Sequence, residues 1–242
     1  MSIERSQIVV DGLPVQIVRK AIKNLHLGVY PPDGRVRVAV PLAITDHAVR
    51  LAVTCKLGWI KRQQARFETQ PRQSKREMVT GETHYFLGRR YRLRVVLQDA
   101  PANVVIRNRS FIDLHLRPGC DTKARARLMQ DWYRQQLKIL IPPLLHRWEK
   151  RLNIQTSDWA IKKMKTKWGT CNADARRIWL NLELAKKPIQ CLEYILVHEL
   201  VHLLERHHND RFISIMNRHL PQWRAHRQLL NSEPLAHDTW SY

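Results

Sequence analysis

The segment from Leu192 to Leu204 is the feature that most restricts the fold of this chain. Its apolar residues recur at the spacing of one helix face. Two histidines, His198 and His202, stand four positions apart within it, and Glu199 follows the first. Residues at i and i+4 of a helix lie one above the other. The segment therefore predicts a buried helix that presents both imidazoles on one side.

The same three residues predict a zinc site that performs hydrolysis. Two imidazoles one turn apart suit a tetrahedral zinc ion, and a glutamate beside the first histidine reaches the zinc-bound water. Zinc lowers the pKa of that water to about 7. We therefore predict His198 and His202 as metal ligands and Glu199 as the general base that takes the proton while water attacks a carbonyl carbon.

A catalytic zinc takes three protein ligands and keeps one position open, so a third ligand should follow. Both His207 and His208 follow the helix segment. We assign His208, because the chain can leave the helix after the second ligand and swing back to the metal. His207 and Glu205 remain alternatives.

The hydrophobic pattern divides the chain into two parts. Alternating apolar residues around turns at Asp11-Gly12 and 31–34 predict hairpins, a helix follows from Thr45 or Asp46 to about Phe67, and further hairpins follow to residue 116. Long helical patterns begin after the turn at Pro118-Gly119. We predict an α+β fold with a small β-rich domain at 1–118 and a second domain, which carries the zinc motif, at 119–242.

The second part is predicted as follows. A first helix runs from Asp121 to about Ile141, and the pair Pro142-Pro143 separates it from a continuation at 144–152. Short strands are expected at 159–165 and 177–182 around a polar loop, and helices at 188–205 and 209–219. We predict that Ile178, Leu180 and Asn181 belong to an edge strand that pairs with an extended peptide substrate. Such main-chain pairing predicts broad specificity.

The chain carries 42 Lys and Arg against 21 Asp and Glu, a net charge of +21, which predicts a polyanionic partner. Arginines at alternate positions of a strand project from one face, where they could follow phosphates. The residues predicted to bind nucleic acid are Lys61, Arg62, Arg66, Arg90, Arg92 and Arg94. No residue indicates base readout, so DNA binding is expected to be independent of sequence, and the choice between DNA and RNA stays open.

Several blocks of the sequence together resemble the YgjP-like metallopeptidases, which are related to the SprT and minigluzincin groups. These blocks are KTKWGTC at 165–171, IWLN at 178–181, YILVHELVH at 194–202, and His208 with Phe212. One departure is Thr170, where the family usually has serine. The resemblance implies a zincin-like catalytic domain with His198, His202 and His208 on Zn²⁺ and Glu199 as catalytic base. It also suggests, by analogy with SprT relatives, protein substrates on or near DNA.

Two other functions remain open. A zinc site with many basic neighbours could hydrolyse the phosphoanhydride of a nucleoside triphosphate, and a nucleic-acid-binding protein could hold zinc as a structural ion. The second alternative has no use for Glu199 and normally needs four protein ligands. The N-terminus lacks the apolar stretch of a signal peptide and no run is long enough to span a bilayer, so we expect a cytoplasmic protein without a membrane partner.

Overall fold

The computed structural model describes residues 4–30, 34–69, 76–164 and 167–232, with the side chains of 4, 66–69 and 232 outside the description. Backbone contacts group the described residues into two compact units, 4–69 and 76–232. The architecture is α+β, with β-rich structure towards the N-terminus and helices towards the C-terminus, which confirms the mixed fold class.

The first unit is one sheet with two helices. Its elements are β1 (Glu4–Val10), β2 (Leu13–Lys20), β3 (His26–Tyr30), β4 (Arg35–Pro41), α1 (Asp46–Thr54) and α2 (Leu57–Thr69). The strand order is β1-β2-β4-β3, in which β2 and β4 are parallel and the other pairs antiparallel. The Thr45 hydroxyl caps α1 by accepting a hydrogen bond from Ala48 N at 3.3 Å. The single helix predicted here is divided into two between Thr54 and Leu57.

The second unit begins with a sheet of the same design. Its strands are β5 (Thr83–Phe86), β6 (Arg89–Leu97), β7 (Asn103–Arg107) and β8 (Phe111–Leu116). Their order is β5-β6-β8-β7, again with one parallel pair between two antiparallel ones. The chain then enters α3 (Thr122–Leu152), whose cap Asp121 accepts a hydrogen bond from Ala124 N at 2.7 Å.

The sheet β5–β8 belongs to the same unit as the histidine motif, whereas the sequence places a domain boundary at Pro118-Gly119. Ile112 and Leu114 of β8 are fully buried in one core with Met129 and Leu137 of α3. The Tyr133 hydroxyl also donates a hydrogen bond to Tyr85 O at 2.8 Å. Because this sheet buries its apolar face on α3, the division between the described parts of the two units lies between residues 69 and 76 instead.

Helix α3 continues through Pro142 and Pro143, where the sequence predicts an interruption. A proline inside a helix costs about 3 kcal/mol because it removes a hydrogen bond and crowds the preceding turn. Both prolines lie on the exposed face. Ile141 and Leu145 on either side are buried in the core, which holds the helix axis across them.

The remaining elements carry the histidine motif. They are β9 (Asp158–Lys162), β10 (Gly169–Asn172), β11 (Arg177–Asn181), a 3₁₀ helix (Leu182–Lys186), α4 (Ile189–Val201), α5 (Asp210–His219) and α6 (Trp223–Ser232). The sheet order is β10-β11-β9, so β11 lies between two neighbours and β10 lies at one edge. No described helix is both long enough and apolar enough to cross a membrane.

Buried His84 is expected to make the stability depend on pH. Burial, assisted by the positive charge of Arg76, lowers its pKa from 6.5 to about 4. The unfolded chain therefore takes up the proton first as the pH falls. We expect full stability above about pH 6.5 and a loss of up to about 3 kcal/mol on the way to pH 4. The urea midpoint of His84→Gln should fall less between pH 6.5 and pH 4 than that of the unaltered protein. An equal fall of the midpoint in both proteins would mean that His84 does not cause the loss of stability.

Candidate metal centre

Helix α4 positions the first histidine and the glutamate. Its apolar side chains, among them Leu192, Leu196 and Leu200, are completely buried, so the helix is fixed in the core. His198 lies in its last turn, and His202 is the C-cap residue that follows its last residue, Val201. The predicted helix continues to 205, whereas the helix observed ends four residues earlier and a turn follows.

This turn brings His208 back to the end of α4. His202 Nδ1 lies 3.1 Å from Glu205 O, and the Glu205 carboxylate accepts a hydrogen bond from His207 N at 3.2 Å. Asn209 then caps α5 by accepting a hydrogen bond from Phe212 N at 3.0 Å. Glu205 thus shapes the turn and does not join the histidine cluster.

Three imidazoles converge in an arrangement that fits a metal ion. One nitrogen from each of His198, His202 and His208 lies within 4.8 Å of the others, and the Nε2 atoms of His198 and His208 are 3.0 Å apart. Zinc–nitrogen bonds of about 2.0–2.1 Å in a tetrahedron imply nitrogen–nitrogen distances of about 3.4 Å. The observed separations bracket this value, so small side-chain movements suffice for three-point coordination.

The surroundings of His198 and His202 favour the neutral imidazole, which is the state that binds metals. Burial, together with His202 and His208, lowers the pKa of His198 to about 3, and burial also lowers the pKa of His202. Phe212 is buried and packs against all three rings, with centroids 4.8–5.0 Å away. The hydrogen bond of His202 Nδ1 to Glu205 O leaves its Nε2 for a metal.

Glu199 lies beside this cluster in a tight and largely dry position. Its side chain is buried, and this burial raises its pKa to about 8, while Lys167 acts in the opposite direction. Gly169 of β10 faces it so closely that a Cβ atom there would lie 2.6 Å from Glu199 Oε1. The absence of a side chain at residue 169 therefore makes room for the carboxylate.

A cleft of about 720 Å³ opens onto the histidines and Glu199. One wall is the edge strand β10, and the cleft also contacts Lys167, Arg177 and Arg206. The geometry thus combines three histidines that fit a metal ion, a buried carboxylate and a strand edge that pairs with no other described strand. This set of groups can bind an extended chain and move a proton beside a metal ion.

The strand predicted to receive a substrate is placed differently by the structure. Both edges of β11 are occupied, by β10 on one side and β9 on the other. Ile178 and Leu180 are completely buried, and Asn181 is 4% exposed. A peptide cannot pair with a strand whose hydrogen-bonding groups are used on both sides, so the prediction for these three residues is wrong. Among the described residues the two edges of this sheet are β10 and β9, and β10 is the edge that borders the cleft.

Asn181 instead binds the backbone of described residues that precede β10. Its Nδ2 donates hydrogen bonds to Met164 O at 2.8 Å and to Lys167 O at 2.7 Å. Its Oδ1 accepts from Glu183 N at 3.1 Å and from Met164 N at 3.3 Å. Every donor and acceptor of this buried amide is therefore used, and the amide holds the backbone at Met164 and at Lys167, which lines the cleft.

The residues predicted to bind nucleic acid are divided between the two units. Lys61 and Arg62 are exposed on α2, and the side chain of Arg66 lies outside the described residues. Arg90 and Arg92 are exposed on β6, where they alternate with buried residues. Arg94 continues this face, but its guanidinium binds Asp113 through two hydrogen bonds of 2.7 and 2.8 Å. This ion pair lowers the pKa of Asp113 and engages the charge that was expected to meet phosphate.

The sequence interpretation missed Gly169, Lys167, Arg177 and Arg206 as residues of the cleft. Gly169 and Lys167 lie within the block that carries the family resemblance, so a signal for them was present. Arg177 and Arg206 have no local signal, because their positions depend on the order of three strands and on the turn after α4.

Comparison with known proteins assigns the family. A sequence model of the YgjP-like metallopeptidase domain matches residues 23–233, which include β10, β11 and the histidine cluster. A search of curated proteins finds no match. Since the family match covers most of the chain, together with all of the residues that form the centre, the chain belongs to the YgjP-like metallopeptidase family.

Proposed function

We propose that this protein is a zinc endopeptidase of zincin type that uses α4 as its active-site helix and Glu199 as general base. The observation that carries the proposal is the position of a buried carboxylate beside three converging imidazoles in an open cleft. Three ligands leave a coordination position free, as a catalytic zinc requires. Among the described residues no fourth histidine, cysteine or carboxylate joins the group, which speaks against a structural zinc.

His198, His202 and His208 would hold the ion. Zinc bound there supplies Lewis acidity, which brings the pKa of water to about 7. Glu199 accepts the proton of the attacking water as the new carbon–oxygen bond forms. The same carboxyl then donates the proton to the amide nitrogen as the carbon–nitrogen bond breaks. Its burial places the carboxyl beside the imidazoles and largely out of contact with bulk water.

The open edge of β10 is the proposed binding site for the substrate backbone. Main-chain hydrogen bonds from an edge strand hold an extended peptide without reading its side chains. Thr170 and Asn172 of this strand line the cleft, so the strand borders the opening. Substrates are therefore expected to be unfolded or extended protein segments.

The first experiment is cleavage of a permanently unfolded protein by the zinc-loaded enzyme. We expect fragments that appear with zinc, disappear with a chelator and return on zinc addition. Release of pyrophosphate from nucleoside triphosphates without peptide cleavage would reject the proposal in favour of a phosphohydrolase.

Recruitment by nucleic acid is the second part of the proposal. The exposed cations Lys61, Arg62, Arg90 and Arg92 support electrostatic binding to a polyanion. Binding of single-stranded DNA should weaken with salt, and cleavage should rise with DNA at low salt only. Cleavage rates that do not change with DNA would reject recruitment by nucleic acid and leave the proposal of a general peptidase.

The ligand assignment can be tested with two adjacent histidines. His208→Ala is expected to weaken zinc binding by about 100-fold or more, because it removes one of three ligands. His207→Ala is the matched control and should leave the affinity unchanged, since His207 lies outside the cluster. Competition with a chromophoric chelator measures both values. Weakened zinc binding in His207→Ala, with unchanged binding in His208→Ala, would assign His207 as the third ligand.

A further inference from the structure

The pairing of β10 with β11 defines which of its backbone groups are free. Asn181 N donates a hydrogen bond to Trp168 O at 2.9 Å, just before β10 begins. Hydrogen-bonded positions alternate along an antiparallel pair, so Thr170 and Asn172 also direct their backbone groups to β11. Gly169 and Cys171 direct theirs to the open edge. A substrate strand would thus pair with Gly169 and Cys171.

Side chains of such a strand would alternate between two faces of the sheet. One face carries the buried residues Ile178 and Leu180 and lies towards α4 and the histidines. The other face carries Arg177 and Trp179, and both contact the cleft. Every second substrate side chain would therefore lie on the face of Arg177.

Arg177 has the properties of a binding group for an anion. Its Nε is buried and has no hydrogen-bond partner among the described residues. Its guanidinium lies 5.0 Å from the centre of the Trp179 ring, and Lys162 Nζ lies 3.0 Å from the same centre. A second cation on the ring adds positive potential, and a buried N–H without an acceptor is unfavourable until a ligand supplies one.

The distance across the sheet suits an acidic side chain. Neighbouring strands are about 4.8 Å apart, so a substrate strand would lie about 10 Å from β11. Thr170 and Asn172 of β10 lie between β11 and the substrate strand, and their side chains are short. An arginine and a glutamate that extend towards each other can meet across them.

The charges of the cleft favour the same class of ligand. Lys167, Arg177 and Arg206 line it, against the two carboxylates Asp174 and Glu199. Glu199 is committed to proton transfer in the proposed reaction. The guanidinium of Arg177 is planar and binds carboxylates through two parallel hydrogen bonds.

We infer that Arg177 selects substrates with aspartate or glutamate on the strand face that points away from the metal. This inference rests on the proposed peptidase function and deepens it, because it makes acidic segments of extended protein chains the preferred substrates. The broad specificity predicted from backbone pairing is then narrowed at alternate substrate positions.

The test uses two labelled peptides of alternating residues, glutamate with threonine and glutamine with threonine. Binding is measured by fluorescence anisotropy to zinc-loaded Glu199→Gln, in which cleavage is blocked. We expect the glutamate peptide to bind about 10-fold tighter, and Arg177→Gln in this background to remove the preference. Arg177→Glu should prefer the corresponding lysine peptide.

Arg176→Gln is the matched control, because Arg176 is exposed and its Nε donates a hydrogen bond to Gln155 O at 2.7 Å, outside the cleft. It should keep the preference for glutamate. Equal binding of the two peptides, or equal effects of the changes at 176 and 177, would overturn the inference. Arg177-dependent binding of an oligothymidylate without any preference for glutamate would overturn it in favour of a nucleic-acid site.

Cleavage of the unfolded protein, measured in parallel, separates this inference from the proposed function. Cleavage sites flanked by acidic residues at alternate positions, lost in Arg177→Gln, support both. Cleavage without glutamate preference rejects the role of Arg177 alone. A glutamate preference in binding without cleavage rejects the peptidase while the acidic site stands.

Discussion

Replacement of Glu199 by glutamine is expected to reduce peptide cleavage by about 1,000-fold while zinc binding is retained. Glutamine has the same shape, but its amide cannot accept a proton from water, and general base catalysis contributes roughly 10²–10⁴-fold to a rate. The three histidines are unchanged, so one equivalent of zinc should still bind. Cleavage of the unfolded protein and zinc content of the same preparation measure the two effects.

Glu193→Gln is the matched control on the same helix. The Glu193 carboxylate accepts hydrogen bonds from Trp148 Nε1 at 2.9 Å and from Arg147, and none of these three residues lines the cleft. Its replacement should lower thermal stability and leave cleavage unchanged. Glu199→Gln should show the opposite pattern. Retained cleavage in Glu199→Gln would reject the proposed mechanism.

The parts of the centre that depend on local spacing could be predicted from the sequence. His198, Glu199 and His202 lie on consecutive turns of one helix, so their arrangement follows from helix periodicity. His208 comes within reach through a short turn that is held by Glu205 and the Asn209 cap. The sequence offered both His207 and His208 for this place, and only His208 joins the cluster.

The strand that borders the cleft could not be predicted in the same way. Alternation correctly indicates that Ile178 and Leu180 face the core, but a central strand and an edge strand can share that pattern. Which strand is free depends on the order β10-β11-β9, and this order is set by contacts between separate segments. Arg94 illustrates the same limit, because its partner Asp113 lies directly opposite on the parallel strand β8.

The two four-stranded sheets show how topology can repeat without a repeat in sequence. β1-β2-β4-β3 and β5-β6-β8-β7 share strand order and pairing, yet no internal repeat is visible in the residues. Alternating apolar positions suffice for each sheet, and many sequences satisfy them. The second sheet shares a core with α3 and α4, which explains why the boundary predicted from the hydrophobic pattern at Pro118-Gly119 separates elements that pack together.

Gly169→Ala is expected to lower cleavage by about 100-fold without loss of zinc. The new methyl group would lie 2.6 Å from Glu199 Oε1 and 2.7 Å from its Cγ, closer than side chains approach one another. Glu199 is buried, so it cannot move aside freely, and the carboxylate would be displaced relative to the metal. Misplacement of a reacting group by about 1 Å can cost about 100-fold in rate.

Gly58→Ala serves as the control, because a Cβ atom there meets only Arg62 Nη1 at an ordinary 3.6 Å. It should retain full activity. If the methyl group of Gly169→Ala displaces Glu199, the effects of changes at residues 169 and 199 should be coupled. An aspartate at residue 199 is shorter than glutamate and leaves space for this methyl group. The change Gly169→Ala should therefore cost clearly less in a Glu199→Asp background than in the unaltered protein. Equal losses of cleavage in both backgrounds would mean that Gly169 is needed for the backbone conformation of β10 and does not make room for the carboxylate.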